Sequence, residues 1–189
     1  MTIYTGTGDR GKTSLFSGQR VSKANARIEA LGNLDELNST IGGLIAALSP
    51  KCPDLINEML EIQSDLFSIS ALMATTPDSP SMDTIESITQ VQIETLENAI
   101  DRMENELPEL KCFVLPGGHI TAAWSHLART VCRRSERQLV RFLDTLFSEQ
   151  VSERYQKALI YINRLSDYLF VVARYCNRIL GVPEQYWKC

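Results

Sequence analysis

The sequence predicts an all-α protein: an antiparallel five-helix bundle with a non-helical, glycine-rich N-terminal arm. Three observations predict it. Apolar residues recur at steps of three and four through most of the 189 residues, the period of helices with one buried face. No strand-like segments alternate with these stripes, and no repeat of roughly 20–50 residues recurs, which excludes doubly wound sheets and solenoids. The two last stripes run about 25 residues, near 40 Å at 1.5 Å per residue, and the joins are short, as in a bundle.

The first helix starts near Ile28 and buries Leu31, Leu34, Leu37, Ile41, Leu44 and Leu48. Pro53-Asp54 opens the second, with Met59, Ile62, Leu66, Ile69 and Met73 on its stripe. Residues 74–83, ATTPDSPSMD, hold two prolines among small polar residues and read as a loop. Ile93, Leu96, Ile100, Met103 and Leu107 form the third stripe, stopped by Pro108. A short apolar run, CFVLPGG, follows and closes on Pro116-Gly117-Gly118. The fourth and fifth helices are predicted over about 119–147 and about 152–180, the latter ended by Gly181 and Pro183. The whole chain, 1–189, reads as one domain: an arm over 1–23, the bundle over about 24–181, and a tail over 182–189. Tyr186, Trp187 and Cys189 lie beyond the last helix, where a disordered tail is expected.

Composition excludes several classes. Hydrophobic content of 44% and charged content of 22% are those of a globular protein. A net charge of −4 argues against nucleic-acid binding, which rests on a basic surface. No stretch approaches the roughly 18 unbroken apolar residues of a membrane span, and MTIYTGTGDRGKT holds no apolar signal core. The five cysteines form no CxxC pair, and the two histidines, His119 and His126, sit in no HExxH motif. A disulfide framework, a zinc ribbon and a multi-histidine metal site are therefore not expected. The chain reads as a reduced, soluble, cytoplasmic protein, with both histidines as packing residues.

Residues 5–13, TGTGDRGKT, satisfy the phosphate-loop expression GxxxxGK[ST] from Gly6 to Thr13. Glycines free the backbone to turn its N–H groups toward an anion, and Lys12 adds charge. A true P-loop, however, follows a buried strand and opens into a helix. Only a few residues precede this one, and Ser14-Leu15-Phe16-Ser17-Gly18 starts no periodic helix. A polyphosphate-binding arm outside the P-loop fold is the reading that remains beside a flexible tail.

Polar residues interrupt the helices where a bundle should be apolar. Arg129, Arg133, Glu136 and Val140 share a face of the fourth helix, with Arg134 and Arg137 crowding further charge into ARTVCRRSER. Asn163, Asp167, Phe170 and Arg174 fall on one stripe of the fifth. Asp35 and Asn38 interrupt the first. Each alone is compatible with a solvated face. Together, arginines that grip phosphate, an amide able to ligate magnesium or its water, and a glycine-rich loop make a triphosphate site. Asp35 and Arg129 carry opposite charge on different helices, and burial of either makes pairing close to obligatory.

These segments resemble the PduO-type ATP:corrinoid adenosyltransferase family. The resemblance rests on TGTGDRGKTSLFSGQRVSK, LGNLDELNSTIG at 31–42, FVLPGG at 113–118, ARTVCRRSER at 128–137 and NRLSDYLFVVAR at 163–174, in family order across nearly the whole chain. It implies a trimer with interfacial active sites that moves the 5′-deoxyadenosyl group of ATP to cob(I)alamin, leaving triphosphate, with possible hand-over of adenosylcobalamin to an enzyme that uses it. It implies that Thr5, Gly6, Thr7, Gly8, Asp9, Gly11, Lys12, Thr13, Ser14 and Lys23 wrap the nucleotide. Arg133, Arg134, Glu136 and Arg137 meet ATP from a neighbouring subunit, and Asn163 contacts ATP or its magnesium with Asp167 in support. Asp35 and Arg129 match an intersubunit salt bridge beside the corrinoid, and Phe113 an aromatic residue that displaces the corrinoid's lower axial base.

The implied chemistry suits this residue set. Cobalt(I) is itself the nucleophile, so no Ser, Cys or His nucleophile is required. Arg133, Asn163 and Phe113 are then the residues expected to carry catalysis, by placing the 5′-carbon, neutralising the departing triphosphate and keeping the corrinoid base-off. Two other readings stay open at this stage: a P-loop-like ATPase or nucleotide switch, and a non-enzymatic carrier of ATP or cobalamin.

Overall fold

A computed structural model describes residues 3–48, 52–146 and 152–188. Among these, five α-helices form the body: α1 Ala26–Ala47, α2 Pro53–Ala74, α3 Gln90–Glu104, α4 Ile120–Leu143 and α5 Glu153–Ile179. α4 lies between α1 and α5, with α2 outside α1 and α3 outside α5. The predicted stripes are the core: Leu34, Leu37, Ile41, Leu44, Met59, Leu66, Ile69 and Met103 are all but inaccessible. So are Leu139, Ile162, Leu165 and Leu169 of the last two helices.

α4 and α5 run antiparallel and close together because their contact faces are small. Ala122, Ser125, Ala128, Cys132 and Ser135 are fully buried on α4. Ser125 donates to the Leu169 carbonyl at 2.7 Å, and the Cys132 thiol to the Ile162 carbonyl at 3.2 Å. These short side chains satisfy themselves on backbone oxygens and let the helix surfaces approach.

Local chemistry sets the ends. Asn25 caps α1 through the Arg27 N–H at 2.9 Å, and Thr89 with Gln92 forms a capping box on α3. His119 caps α4, its Nδ1 accepting from the Thr121 N–H at 3.3 Å. Arg27 is buried: it donates to the Met73 and Thr75 carbonyls and lies 4.5 Å from the centroid of the Phe142 ring. One side chain thus ties the start of α1 to the ends of α2 and α4.

Outside the helices the structure adds order. β1 Lys12–Ser14 pairs antiparallel with β2 Arg20–Ser22, so the arm is partly a hairpin. It docks through buried Leu15 and a bond from the Phe16 N–H to the Ala74 carbonyl at 2.9 Å. The tail is not disordered as expected: β4 Tyr186–Trp187 pairs with β3 Phe113–Val114. Within the expected 74–83 loop, Pro80–Thr84 begins a 3₁₀ turn. α3 stops at Glu104 rather than reaching Leu107, because the residue before Pro108 is disfavoured in helix and the chain tightens into i→i+3 turns. Cys112 corrects the expectation of a wholly reduced chain: it is disulfide-bonded, at a half-buried position beside β3. Cys52, Cys132 and Cys176 are free and buried. Cys189 lies outside the described residues.

Candidate active site on the α4–α5 face and the N-terminal arm

Close approach of α4 and α5 brings polar residues together along the edge of their seam. Asn163 donates from Nδ2 to the Glu136 carboxylate at 2.9 Å, leaving its own amide oxygen directed elsewhere. Arg137 turns back to the Arg133 carbonyl at 2.8 Å. Arg129, Arg133, Ser166, Asp167 and Phe170 line one cavity of about 320 Å³, with Ile100 and Glu104 of α3 on its far side. Sequence reasoning gave Arg133 to ATP, Arg129 to a salt bridge beside the corrinoid and Asp167 a supporting place; the fold lines one cavity with all three.

The electrostatics of this face are unusual for a bundle. Arg102, Arg134, Arg164 and Arg174 each have a carboxylate partner. Among the described residues Arg129, Arg133 and Arg137 have none. Arg129 is half-buried, its Nε makes no hydrogen bond, and burial and then the like charge of Arg133 pull its pKa down. Two adjacent guanidiniums without a salt-bridge partner, although Glu104 and Asp167 line the same cavity, keep donors free for an anion. Arg134 differs, because it turns toward α1, donating to Asn33 Oδ1 at 3.0 Å and pairing with Glu36.

The arm is curled by its own backbone. Asp9 and Gly11 donate N–H groups to the carbonyls of Gly6 and Gly8, and Lys23 donates to the Gly11 carbonyl at 2.9 Å. Gly6 and Gly11 take φ of 66° and 74°, the left-handed region that favours glycine. Lys23 reaches across Gly8, where a Cβ would stand 3.3 Å from its Nζ. A depression of about 740 Å³ opens among Gly6, Thr7, Asp9, Arg10, Ser14 and Arg20. Thr13 and Ser14 continue into a hairpin rather than a helix, so the surroundings of a P-loop are absent from this segment.

Arg20 escaped the sequence reading. It donates to the Thr7 carbonyl at 2.8 Å and to Ser14 Oγ at 3.3 Å, holding the arm's two halves together. Only the hairpin register, Ser14 opposite Arg20, reveals it, and three-residue strands leave no periodic signal. His126 was read as packing and is 3% exposed, edge-on to Phe170 with ring centroids 6.1 Å apart. Neither ring nitrogen has a partner, and burial, then Arg129, pushes its pKa down to about 4.

Phe113 stands 78% exposed on β3, its ring 6.4 Å from that of Trp187 on β4. Asp35 is exposed on α1 and makes no ion pair among the described residues, with Arg129 or otherwise.

The family model for cobalamin adenosyltransferase matches residues 3–176, a span that covers the arm, the Phe113 strand and the α4–α5 face. The chain belongs to the cobalamin adenosyltransferase family. It is 41% identical over 186 residues to the corrinoid adenosyltransferase of Bacillus subtilis (strain 168), covering 97% of this chain and 91% of that one. It is 43% identical over 175 residues to the PduO corrinoid adenosyltransferase of Citrobacter freundii, which is 92% of this chain but 49% of that protein. The fold is also that of a variant of the PduO-type ATP:corrinoid adenosyltransferase from Lactobacillus reuteri, solved with cobalamin and ATP. The TM-score is 0.90, with 35% identity and full coverage of both chains. Within this family fold the described helices carry no span long and apolar enough to cross a membrane.

Proposed function

We propose that this protein transfers the 5′-deoxyadenosyl group of ATP to cob(I)alamin at sites formed between the subunits of a cytoplasmic homotrimer. Cobalt(I) donates its electron pair to the 5′-carbon, and the C5′–O bond breaks. Triphosphate departs with that bond's electrons, and cobalt ends formally as cobalt(III). The protein's part is to align the reactants and to meet the charge that gathers on the leaving group.

The observation that carries this reading is the pair of unpartnered guanidiniums, Arg129 and Arg133, on the wall of one cavity with Phe170 and Asp167. Arg133 and Arg137 hold the triphosphate on that face, while the curled arm, from Thr5 through Ser14 with Lys23, takes up the same nucleotide. The protein's own buried thiols are poor nucleophiles: burial pushes Cys132 far up and Cys176 to about 11. A nucleophile supplied by the corrinoid removes that need.

An interfacial site is supported by where the parts lie. The arm docks at the bundle end marked by Ala74 and, through Arg27, by Phe142. β3 lies beyond the other end, at His119. The 23 positions from His119 to Phe142 span roughly 35 Å of helix, longer than an extended ATP molecule. That separation supports delivery of ATP to a given Phe113 by the arm of another subunit. Asp35 and Arg129, without partners in one chain, then pair across the same interface.

Magnesium fits as an ion carried by the phosphates. Among the described residues no cluster of three or more His, Cys, Asp or Glu side chains is placed to hold a metal alone. The Asn163 amide oxygen is available, because its NH₂ group is engaged by Glu136, and one oxygen ligand suits magnesium bound mainly by phosphate and water. Bound there, the ion supplies charge neutralisation on the triphosphate.

The test is anaerobic: protein, ATP, magnesium and chemically reduced cob(I)alamin, followed by visible absorbance. Light-sensitive adenosylcobalamin with one triphosphate released per turnover is the expected result. Phosphate release without corrinoid, or ligand binding without a cobalt–carbon bond, overturns it.

A further inference from the structure

Two residues of α5, one turn apart, hold the segments that flank the strand pair carrying the exposed Phe113. Arg174, 3% exposed, donates from Nε to Glu184 Oε1 at 2.9 Å and from Nη2 to the Pro108 carbonyl at 2.9 Å. The Glu184 carboxylate also accepts from the Tyr186 hydroxyl at 2.8 Å, which reaches the strand paired with β3. Asn177, 1% exposed, accepts from the His119 N–H at 2.8 Å and donates to the Gly117 carbonyl at 3.1 Å. Leu115 N–H completes the tie by donating to the Gln185 carbonyl at 2.7 Å.

β3 and β4 have two residues each, and Phe113 and Trp187 are largely solvent-exposed, so neither strand buries a core face of its own. A two-stranded ribbon of this kind is not stable in isolation. Its position is therefore set by its attachments: the disulfide at Cys112 beside β3 and, from beneath, a buried ion pair whose acid lies in the tail and whose base lies in the bundle. A tail needed only to finish the fold has no use for a desolvated charge pair, because apolar residues of similar volume usually serve stability as well.

We infer that the Arg174–Glu184 pair is a positioning clamp that fixes the Phe113–Trp187 ribbon against the corrinoid, and so sets how well the protein holds cob(II)alamin in its four-coordinate, base-off form. The clamp rests on the adenosyl-transfer reading and on Phe113's role in it. Arg174 and Glu184 touch neither substrate; they act through the strands.

The experiment compares wild type, Phe113→Ala, Glu184→Gln and the double variant Arg174→Met/Glu184→Leu, in which no charge is left buried and unpaired. Each is loaded with ATP and given cob(II)alamin, and the four-coordinate species is followed by its absorbance and electron paramagnetic resonance. Transfer rates are then measured from chemically pre-reduced cob(I)alamin, already four-coordinate, and from cob(II)alamin with a reductant. For both Glu184 variants the clamp predicts that the four-coordinate signal and the cob(II)alamin rate fall about 10- to 100-fold. ATP affinity and the cob(I)alamin rate stay within about threefold. Equal losses from both corrinoid states, or an unchanged signal, overturn the clamp. If wild type forms no adenosylcobalamin from cob(I)alamin, the function itself fails. If Phe113→Ala keeps the four-coordinate signal, the role of Phe113 fails and the clamp with it.

Discussion

Gly118 is the position where backbone geometry and a neighbouring side chain make the same demand, and its replacement by alanine has a calculable cost. Its φ is +99°, where an L-residue is strained by about 1–2 kcal/mol. A Cβ there would lie 2.2 Å from Asn177 Oδ1 and 2.6 Å from Nδ2, both inside any permitted contact. Asn177 must then move, losing its bonds to the His119 N–H and the Gly117 carbonyl, at roughly 1 kcal/mol each. Gly118→Ala is therefore expected to destabilise the protein by about 3–4 kcal/mol. Asn177→Ala alone loses the same two bonds, about 2 kcal/mol. The double variant should cost little more than Gly118→Ala itself, because the clash is gone and the bonds are lost only once. Urea unfolding of the four proteins, at fixed protein concentration, measures the cycle. Additive costs, or a Gly118→Ala effect below about 1 kcal/mol, would refute the reasoning.

Three further outcomes follow from the site. Arg133→Ala should slow transfer by roughly 100- to 1,000-fold, and Arg133→Lys should recover only part of it because the planar fork is lost; equal rates in stopped assays would remove Arg133 from the site. Arg20→Ala should raise the KM for ATP about tenfold with little change in kcat, since Arg20 orders the arm through Thr7 and Ser14; a fall in kcat alone would contradict this. The His126 pKa is depressed to about 4 in the fold against about 6.5 unfolded, so between these values the unfolded chain binds the extra proton. Stability from the neutral imidazole is full above pH 6.5 and is lost as pH falls toward 4, by at most about 3 kcal/mol. His126→Leu should flatten that acid limb in urea titrations; an unchanged limb would show that the ring is not the group responsible.

Much of the architecture was legible because burial repeats. Leu34, Leu37, Ile41 and Leu44 are spaced as a helix demands and are the residues the fold buries. The same logic singled out Arg129, Arg133, Asn163 and Asp167 as candidates, since each is a polar residue out of phase with an apolar stripe. It failed where order comes from a few long-range bonds. The tail looked disordered because Tyr186 and Trp187 have no period; Trp187 is held by its pairing with Phe113 and Tyr186 by Glu184, ten residues from the arginine it meets. Arg174 itself sat on the Asn163–Asp167–Phe170 stripe and drew no separate notice, since its partner lies beyond the helix. Nor does composition reveal which cysteine is oxidised, and Cys112 is set apart only by its place beside β3.

On the proposed reading, α4 offers one surface to two very different reactants. From Arg137 back to Arg129 its exposed edge carries guanidiniums without ion-pair partners among the described residues, a surface for triphosphate. One turn further back stands His126, buried and held neutral against Phe170, and beyond it the helix start where Phe113 and Trp187 pair. Arg133 and His126 are seven positions apart, roughly 10 Å of helix, over which the surroundings change from cationic to aromatic. The bond to be broken joins an anionic group to a carbon, and the metal that attacks it sits in a broad, largely apolar ring. On the proposed reading a wall graded in this way aligns the two without contacting cobalt, and it accounts for guanidiniums left unpaired on a helix whose buried Ser125, Cys132 and Ser135 all bond to backbone carbonyls.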